Sequence, residues 1–380
     1  MKIYLSVGML MVILFSACEK EQNTIKSGEV WCDNNGVHIN AHGGGVLIYD
    51  NTYYWFGEHK TEGRIGNKAN VGVHVYSSKN LTNWKDEGIA LAVVKNDTNH
   101  DITKGCVIER PKVIYNKSTK KFVMWFHLEL KRHGYEAART AVAVADKVTG
   151  PYTFIRSLRP NARQWPVNFS NEQKSIEYNY EMNRWSELGK KAVENGMYVK
   201  RDFEEGQMSR DMTLFVDENK KAYHIASSEE NATLHIRELT EDYLDFTGNY
   251  VRVFSNESNE APAIFKNKGK YYMFTSGCTG WSANAGRSAV ADNIMGPWNS
   301  LGNPFHGSLE EANVSFQSQP TYVIPLLGKK NAFVYMGDRW SPDNAINGRY
   351  IWLPVKFDMD GKPFMHWMDE WNLDFFNGQN

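Results

Sequence analysis

Short runs in which apolar and aromatic residues alternate with polar ones recur along almost the whole chain, each bounded by Gly, Asn, Asp or Lys turns. A period of two marks strands with one buried face, and the spacing of an amphipathic helix is scarce. The chain is therefore predicted to be predominantly β. One template repeats five times: a polar residue, three small or mixed positions, an apolar strand, a polar turn, then an aromatic strand. The copies open at His42 (HGGGVLIYDNTYYWFG), Glu109 (ERPKVIYNKSTKKFVMWF), Asp211 (DMTLFVDENKKAYHIA), Glu260 (EAPAIFKNKGKYYMFT) and Gln319 (QPTYVIPLLGKKNAFVYM). Four residues into each copy stands an apolar side chain: Val46, Val113, Phe215, Ile264 and Val323. Further strand material follows the hairpins, such as VGVHVYSSKNLTNW, TAVAVADKVTGPYTF and RSAVADNIMGPWNS, enough to complete four-stranded blades. This repetition predicts an all-β, five-bladed β-propeller whose innermost strands line a central channel and start at one mouth. The five leading polar residues are expected to converge there.

No linker interrupts the 380 residues, so one large domain is expected over 36–380, with an insert at about 161–207 between the second and third copies. Within the insert, 177–195 is expected to form a short helix. Its Trp and Tyr content suits either a wall beside the mouth or a surface decoration. Residues 1–18 have the form of a secretory signal, with Lys2, an apolar run from Ile3 to Phe15, and Ser16 and Ala17 before Cys18. The stretch from Leu14 to Cys18 resembles a bacterial lipoprotein box, which implies cleavage before Cys18, lipid on its sulfur and a polar tether over 19–35. The expected location is the outer membrane, on its periplasmic or surface side. Cys32, Cys106 and Cys278 remain, an odd number without ligand spacing, so neither a disulfide framework nor a zinc site is supported.

Net charge is −1, from 43 basic and 44 acidic residues without long runs of either sign, so nothing calls for a nucleic-acid partner and an uncharged one is expected. The 12 Trp, 19 Tyr and 19 Phe serve blade packing first, and also suit platforms for the C–H faces of sugars. Breaking a glycosidic bond with inversion needs a carboxylic acid for the leaving oxygen and a base for water across the sugar. Glu109 and Glu260 are the paired carboxylates the template offers. A single strand-start Glu beside Pro is adequately explained as a strand-edge cap; two glutamates and an aspartate at equivalent starts favour chemistry. Gly43–Gly45 lacks the Lys-Ser/Thr and helix of a phosphate loop, so close backbone packing explains it better. His38, His42, His224 and His235 show no metal-ligand spacing, and no cofactor is predicted.

From about Gly36 to its end the chain resembles glycoside hydrolase family 43. The E-A-P at Glu260 is similar to the family's general-acid motif, and SSKNLTNW, TGPY and MGPW to its outer-strand signatures. INAHGGG, ERPKVIYN, SRDMTLF, EAPAIF, SGCTGW and SQPT resemble the exo-β-1,3-galactanase subfamily. The resemblance implies an inverting, exo-acting enzyme that releases galactose from β-1,3-galactan, the arabinogalactan backbone, and works as a monomer. It also implies residue roles: Glu260 as general acid, and Glu109 as the carboxylate that holds the sugar and raises the acid's pKa. Glu58, Tyr135, Asp211, Asn231 and Thr279 match hydroxyl-binding positions. Trp281 stands as a stacking platform or as core. Glu58 and Asp211 are otherwise solvated turn carboxylates. No Asp or Glu lies between Asp33 and Asp50, so the first blade lacks the family's usual base and His42 stands at that mouth, facing substrate. The subfamily is known for this absence, with a fifth-blade glutamine that orients or activates water through its imidic tautomer, because a neutral amide is a poor base. By motif that residue is Gln319, with Gln317 as rival. Arg110 and Arg210 adjoin site carboxylates, either holding them ionised or pairing between blades, and stay outside the catalytic set. Some relatives hold an ion in the channel; a structural metal is not predicted here. The alternatives are an α-L-arabinofuranosidase or β-xylosidase, which should carry an Asp in the first blade, and a lipid-anchored glycan-binding propeller without catalysis.

Overall fold

The computed structural model describes residues 23–177 and 183–377. Five sheets follow one another along the chain, as the template predicts. Blade 1 comprises His42–Tyr49, Thr52–Glu58, Gly72–Ser78 and Lys85–Ala92; blade 2 Val107–Asn116, Lys121–Glu129, Arg139–Ala145 and Thr153–Leu158. Blade 3 comprises Met212–Val216, Ala222–Ser228, Thr233–Leu239 and Phe246–Val253; blade 4 Glu260–Asn267, Lys270–Ser276, Arg287–Ala291 and Asn299–Gly302. Blade 5 comprises Gln319–Pro325, Phe333–Arg339, Arg349–Phe357 and Pro363–His366, with Phe305–His306 added in parallel at its edge. The protein is a five-bladed β-propeller.

Local chemistry sets the hairpins. Blade 1 turns through Asp50 and Asn51, both at positive φ (47° and 52°), and blade 4 through Lys268 and Gly269 (48° and 80°). Two successive residues of this kind give the turn whose twist matches antiparallel strands. The five apolar template positions, Val46, Val113, Phe215, Ile264 and Val323, all line the channel's far opening and form an apolar throat.

At the mouth the inner strands break register. Pairing shifts between His42 and Gly45, between Glu109 and Lys112, and between Glu260 and Ala263. The residue after each leading side chain is left-handed, with φ of 59° at Gly43, 56° at Arg110 and 51° at Ala261. A bulge of this kind re-aims the side chain beside it. Glycine accepts the conformation freely; Arg110 and Ala261 each bear a cost of about 1 kcal/mol. The glycine run serves close approach: a Cβ at Gly44 would collide with the Phe56 carbonyl, and one at Gly45 would lie 2.5 Å from Lys112 Cδ. Lys112 is 1% exposed and donates to the carbonyls of Gly43 (3.1 Å) and Arg110 (3.3 Å), so its stem fills the space between the polar mouth and the throat.

Blades 1 and 5 close the ring through side chains. Gly43 N donates to Asp338 Oδ2 (3.0 Å) and Thr321 Oγ1 to Gly44 O (2.7 Å), while the Tyr350 hydroxyl donates to Ile39 O (2.9 Å) and accepts from Ala41 N (3.0 Å). Trp31, Trp55 and Trp352 cluster behind these bonds, with Trp352 ring centroids 5.0 and 4.9 Å from the other two. The strand Ile25–Lys26 pairs with Glu370–Trp371. Residues 23–35 therefore belong to the domain rather than to the expected tether, because Ile25 and Trp31 bury against this closure (2% and 4% exposed). Among the described residues Cys106 and Cys278 are free.

The insert carries three short helices, Asn171–Ser175, Glu187–Glu194 and Met197–Arg201. It packs on the outer strand of blade 3, where Val167 N donates to Tyr250 O (2.8 Å) and Arg252 Nη2 to Val193 O (2.5 Å). The helix expected over 177–195 is shorter, since Ser186 caps its start by accepting from Gly189 N (3.0 Å); residues 178–182 lie outside the described residues. No described insert residue lines the mouth cavity, although Arg184 of the insert donates to Ser258 (2.7 Å) and lies within electrostatic reach of Glu260 and Cys278.

Candidate active site

A cavity of about 530 Å³ opens at the mouth, and four of the five leading residues line it: Glu109, Asp211, Glu260 and Gln319. His42 does not reach it. Its side chain is fully buried, stacked on Tyr350 with ring centroids 5.2 Å apart and with Nδ1 3.7 Å from Asp338 Oδ1. The bulge at Gly43 leaves the ring inside the blade 1–5 junction, which corrects the expectation that His42 faces substrate. Glu58, paired with His42 in register, lines the cavity in its place.

Glu260 is enclosed, and its Oε1 accepts a 2.6 Å hydrogen bond from Asn231 Nδ2. Burial, then the charge of Asp211, push its pKa up to about 7, against the opposing pull of Cys278, Arg110 and Arg210. A carboxyl in this state holds a proton near neutrality, as a general acid requires. The neighbouring charge that raises it is that of Asp211, whereas the resemblance assigns this tuning to Glu109.

Glu109 is held as an anion. Its Oε1 accepts from the Tyr135 hydroxyl (2.7 Å) and Asn67 Nδ2 (2.9 Å), and its Oε2 lies 3.0 Å from His127 Nδ1, an ion pair whose angle is poor for a hydrogen bond. Burial alone would raise the pKa of Glu109, but the His127 contacts outweigh it and hold the carboxyl well below the usual range. His127 Nε2 lies 2.9 Å from Glu129 Oε1. Burial would strip the ring of its proton; the two carboxylates prevail and push its pKa up to about 9. Glu109, His127 and Asp211 bring ligand atoms within 4.8 Å of one another. Both nitrogens of His127 face carboxylates.

Asp211 Oδ2 pairs with Arg110 Nη2 at 2.9 Å. Glu58, 3% exposed, accepts from Arg110 N at 2.9 Å and is ion-paired with Lys60; burial raises its pKa and Lys60 opposes the rise. Asn231 serves the acid, taking Arg210 Nη1 on its own Oδ1 at 3.3 Å. Arg210 pairs with Glu230 (3.5 Å) rather than with Asp211. Thr279 is engaged in its own loop, donating to Ser282 O (2.6 Å) and accepting from Asn284 Nδ2 (2.7 Å). Trp281, 48% exposed, lines the cavity edge-on to Trp340, with centroids 5.9 Å apart. Gln319 lines both this cavity and a polar side cavity of about 220 Å³ behind the two tryptophans; Gln317 lines the side cavity alone. Gln319 is therefore the glutamine of the mouth. Sequence reading missed Lys60, Asn67, His127 and Trp340. His127 stands opposite Glu109, as the polar Glu58, Ser276 and Asp338 stand opposite His42, Glu260 and Gln319, and this second polar repeat is the signal for it; Trp340 follows the end of Phe333–Arg339 and has no such signal.

A propeller whose mouth sets an enclosed carboxyl of raised pKa among other carboxylates has the make-up of a glycosidase. Residues 179–363 match the description of Glycosyl hydrolases family 43. The chain is similar to a family 43 β-1,3-galactosidase solved with galactodeoxynojirimycin, at 53% identity over 92% of this chain and 100% of that one, with a TM-score of 0.88. A second family 43 β-1,3-galactosidase is 38% identical over 94% of this chain and 65% of that one, TM-score 0.77. The exo-β-1,3-galactanase of Phanerochaete chrysosporium, solved with β-1,3-galactotriose, is 30% identical over 93% and 68%, TM-score 0.73. No curated protein matches the chain. The chain belongs to glycoside hydrolase family 43.

Proposed function

We infer that the protein is an inverting, exo-acting hydrolase that releases galactose from β-1,3-galactan. The observation that carries the chemistry is Glu260, enclosed beside Asp211 with its pKa raised to about 7, with Gln319 in the same cavity. Likeness at 53% identity to a β-1,3-galactosidase supports the sugar. Glu260 donates its proton to the glycosidic oxygen as the bond to the anomeric carbon breaks, its electron pair passing to that oxygen. Water enters from the side of Gln319, bonds to the carbon and passes a proton to surrounding solvent, which turns a β-linkage into α-galactose. Glu109 and Asp211, fixed by His127 and Arg110, accept from sugar hydroxyls with Glu58 at the far wall, and Trp281 packs against a ring face. A cavity closed below by Lys112 supports attack at chain ends.

Proton NMR of the first product from β-1,3-galactobiose tests this reading: α-galactose appears first if it holds. First appearance of β-galactose would remove inversion, and release only of arabinose or xylose from aryl glycosides would remove the substrate. We further propose export and lipidation at Cys18, a residue outside those described; labelling with an alkyne fatty acid should mark the wild type and spare Cys18→Ala.

A further inference from the structure

Arg110 touches three blades at once. Its Nη2 donates to Asp211 Oδ2 of blade 3 (2.9 Å) and to Gln319 Oε1 of blade 5 (2.5 Å), and its Nη1 to Pro320 O (3.2 Å). The guanidinium lies 5.3 Å from the centre of the Trp340 ring and the residue is 4% exposed. Its backbone N–H is taken by Glu58 Oε1, which fixes the left-handed bulge that aims the side chain. Trp340 Nε1 donates to the same Gln319 Oε1 at 2.8 Å, and Gln319 Nε2 donates to Ser276 Oγ at 2.9 Å.

These contacts admit one orientation of the Gln319 amide. Flipped, its NH₂ would face Arg110 and Trp340, neither of which accepts a hydrogen bond. In the orientation found, both lone pairs of Oε1 are occupied, one of them by a cation that never gives up its proton. One hydrogen of Nε2 remains. An imidic amide would carry its hydrogen on Oε1, pointed at two donors, so the arrangement opposes the tautomer that the resemblance implies.

We propose that Arg110 is a positioning residue for hydrolysis: with Trp340 it pins the carbonyl oxygen of Gln319, so that the amide turns an N–H toward the cavity and orients the attacking water, whose proton passes to surrounding solvent rather than to Oε1. The same guanidinium holds Asp211, the carboxylate beside the acid, and so spaces the water side against the proton-donor side with one rigid fork. This rests on the hydrolase reading and on the place of Gln319 within it.

The test uses the full chain with β-1,3-galactobiose and compares kcat and KM for wild type, Arg110→Ala, Arg110→Lys, Gln319→Ala and the double Ala variant. Arg110→Ala should lose about 100-fold in kcat with KM changed less than about threefold, and the double variant should be no slower than the slower single variant, because a pair acting as a unit is not additive. Added guanidinium ion should restore part of the kcat of Arg110→Ala and none of that of Gln319→Ala; a lysine should not substitute, since a point charge cannot fork. Losses that multiply in the double variant, or no rescue of a folded Arg110→Ala, would overturn the proposal. If Arg110→Ala does not fold, Trp340→Phe decides: it keeps the ring but loses the N–H, and should cost about tenfold in kcat in wild type and nothing in Gln319→Ala. An unchanged kcat for Trp340→Phe overturns it. If wild type releases no galactose, the substrate reading alone has failed, and the same variants are compared on the glycoside it does cleave.

Discussion

Glu260 and Asp211 divide their labour because one carboxyl is enclosed beside the charge of the other. The acid works in its protonated form, so activity is present below its pKa and lost as pH rises through about 7. Removing the neighbouring charge in Asp211→Asn lowers the pKa of Glu260, and the basic limb of the kcat/KM profile should move down by roughly one pH unit. A limb that stays in place would assign the shift to burial alone. Glu260→Gln should cost about a thousandfold in kcat while calorimetry finds galactose affinity kept. At this scale the sequence made the leading residues legible, since repetition exposed Glu109, Asp211, Glu260 and Gln319 together. His42 escaped that logic: a bulge is a backbone event, and the direction it gives a side chain is not written in residue type. Arg110 escaped too, because its partners arrive from blades about 100 and 200 residues further on.

The inner strands were read almost completely, down to the apolar positions that line the throat, because alternation and turn residues are local signals. The bulges were not, although three of the five leading residues depend on them. Ala261 tests their role without touching substrate. A β-branched side chain suits a left-handed backbone poorly, so Ala261→Val should lower stability by about 1–3 kcal/mol, read as an earlier midpoint in urea unfolding. No change in midpoint would mean that the strand re-registers without cost. The insert helix was misjudged in extent because its start depends on one capping serine and its burial on blade 3, which no local pattern reports.

Across the whole molecule, the ring closes where the first and last blades meet, through Trp31, Trp55, Tyr350 and Trp352 rather than through an exchanged strand. Truncating Trp352, which is fully buried there, should cost about 3–5 kcal/mol and lower the melting temperature of the whole propeller in calorimetry. A separate low-temperature transition with the main one unmoved would show that closure is not what holds the blades together. The tether expected over 19–35 does not extend over 23–35, because a two-residue strand pairing with Glu370–Trp371 has no local signature.

Lys112 gives the molecule a property that none of its carboxylates has. By stopping the channel between mouth and throat it leaves the galactose unit with no rear exit, so the freed monosaccharide departs through the doorway that the polymer still occupies. The shortened chain must step back before its severed end can leave. A channel so closed predicts that each turnover is a fresh encounter, that polymers shorten together rather than one at a time, and that added galactose slows the release of more, which a time course of chain lengths with and without galactose would check.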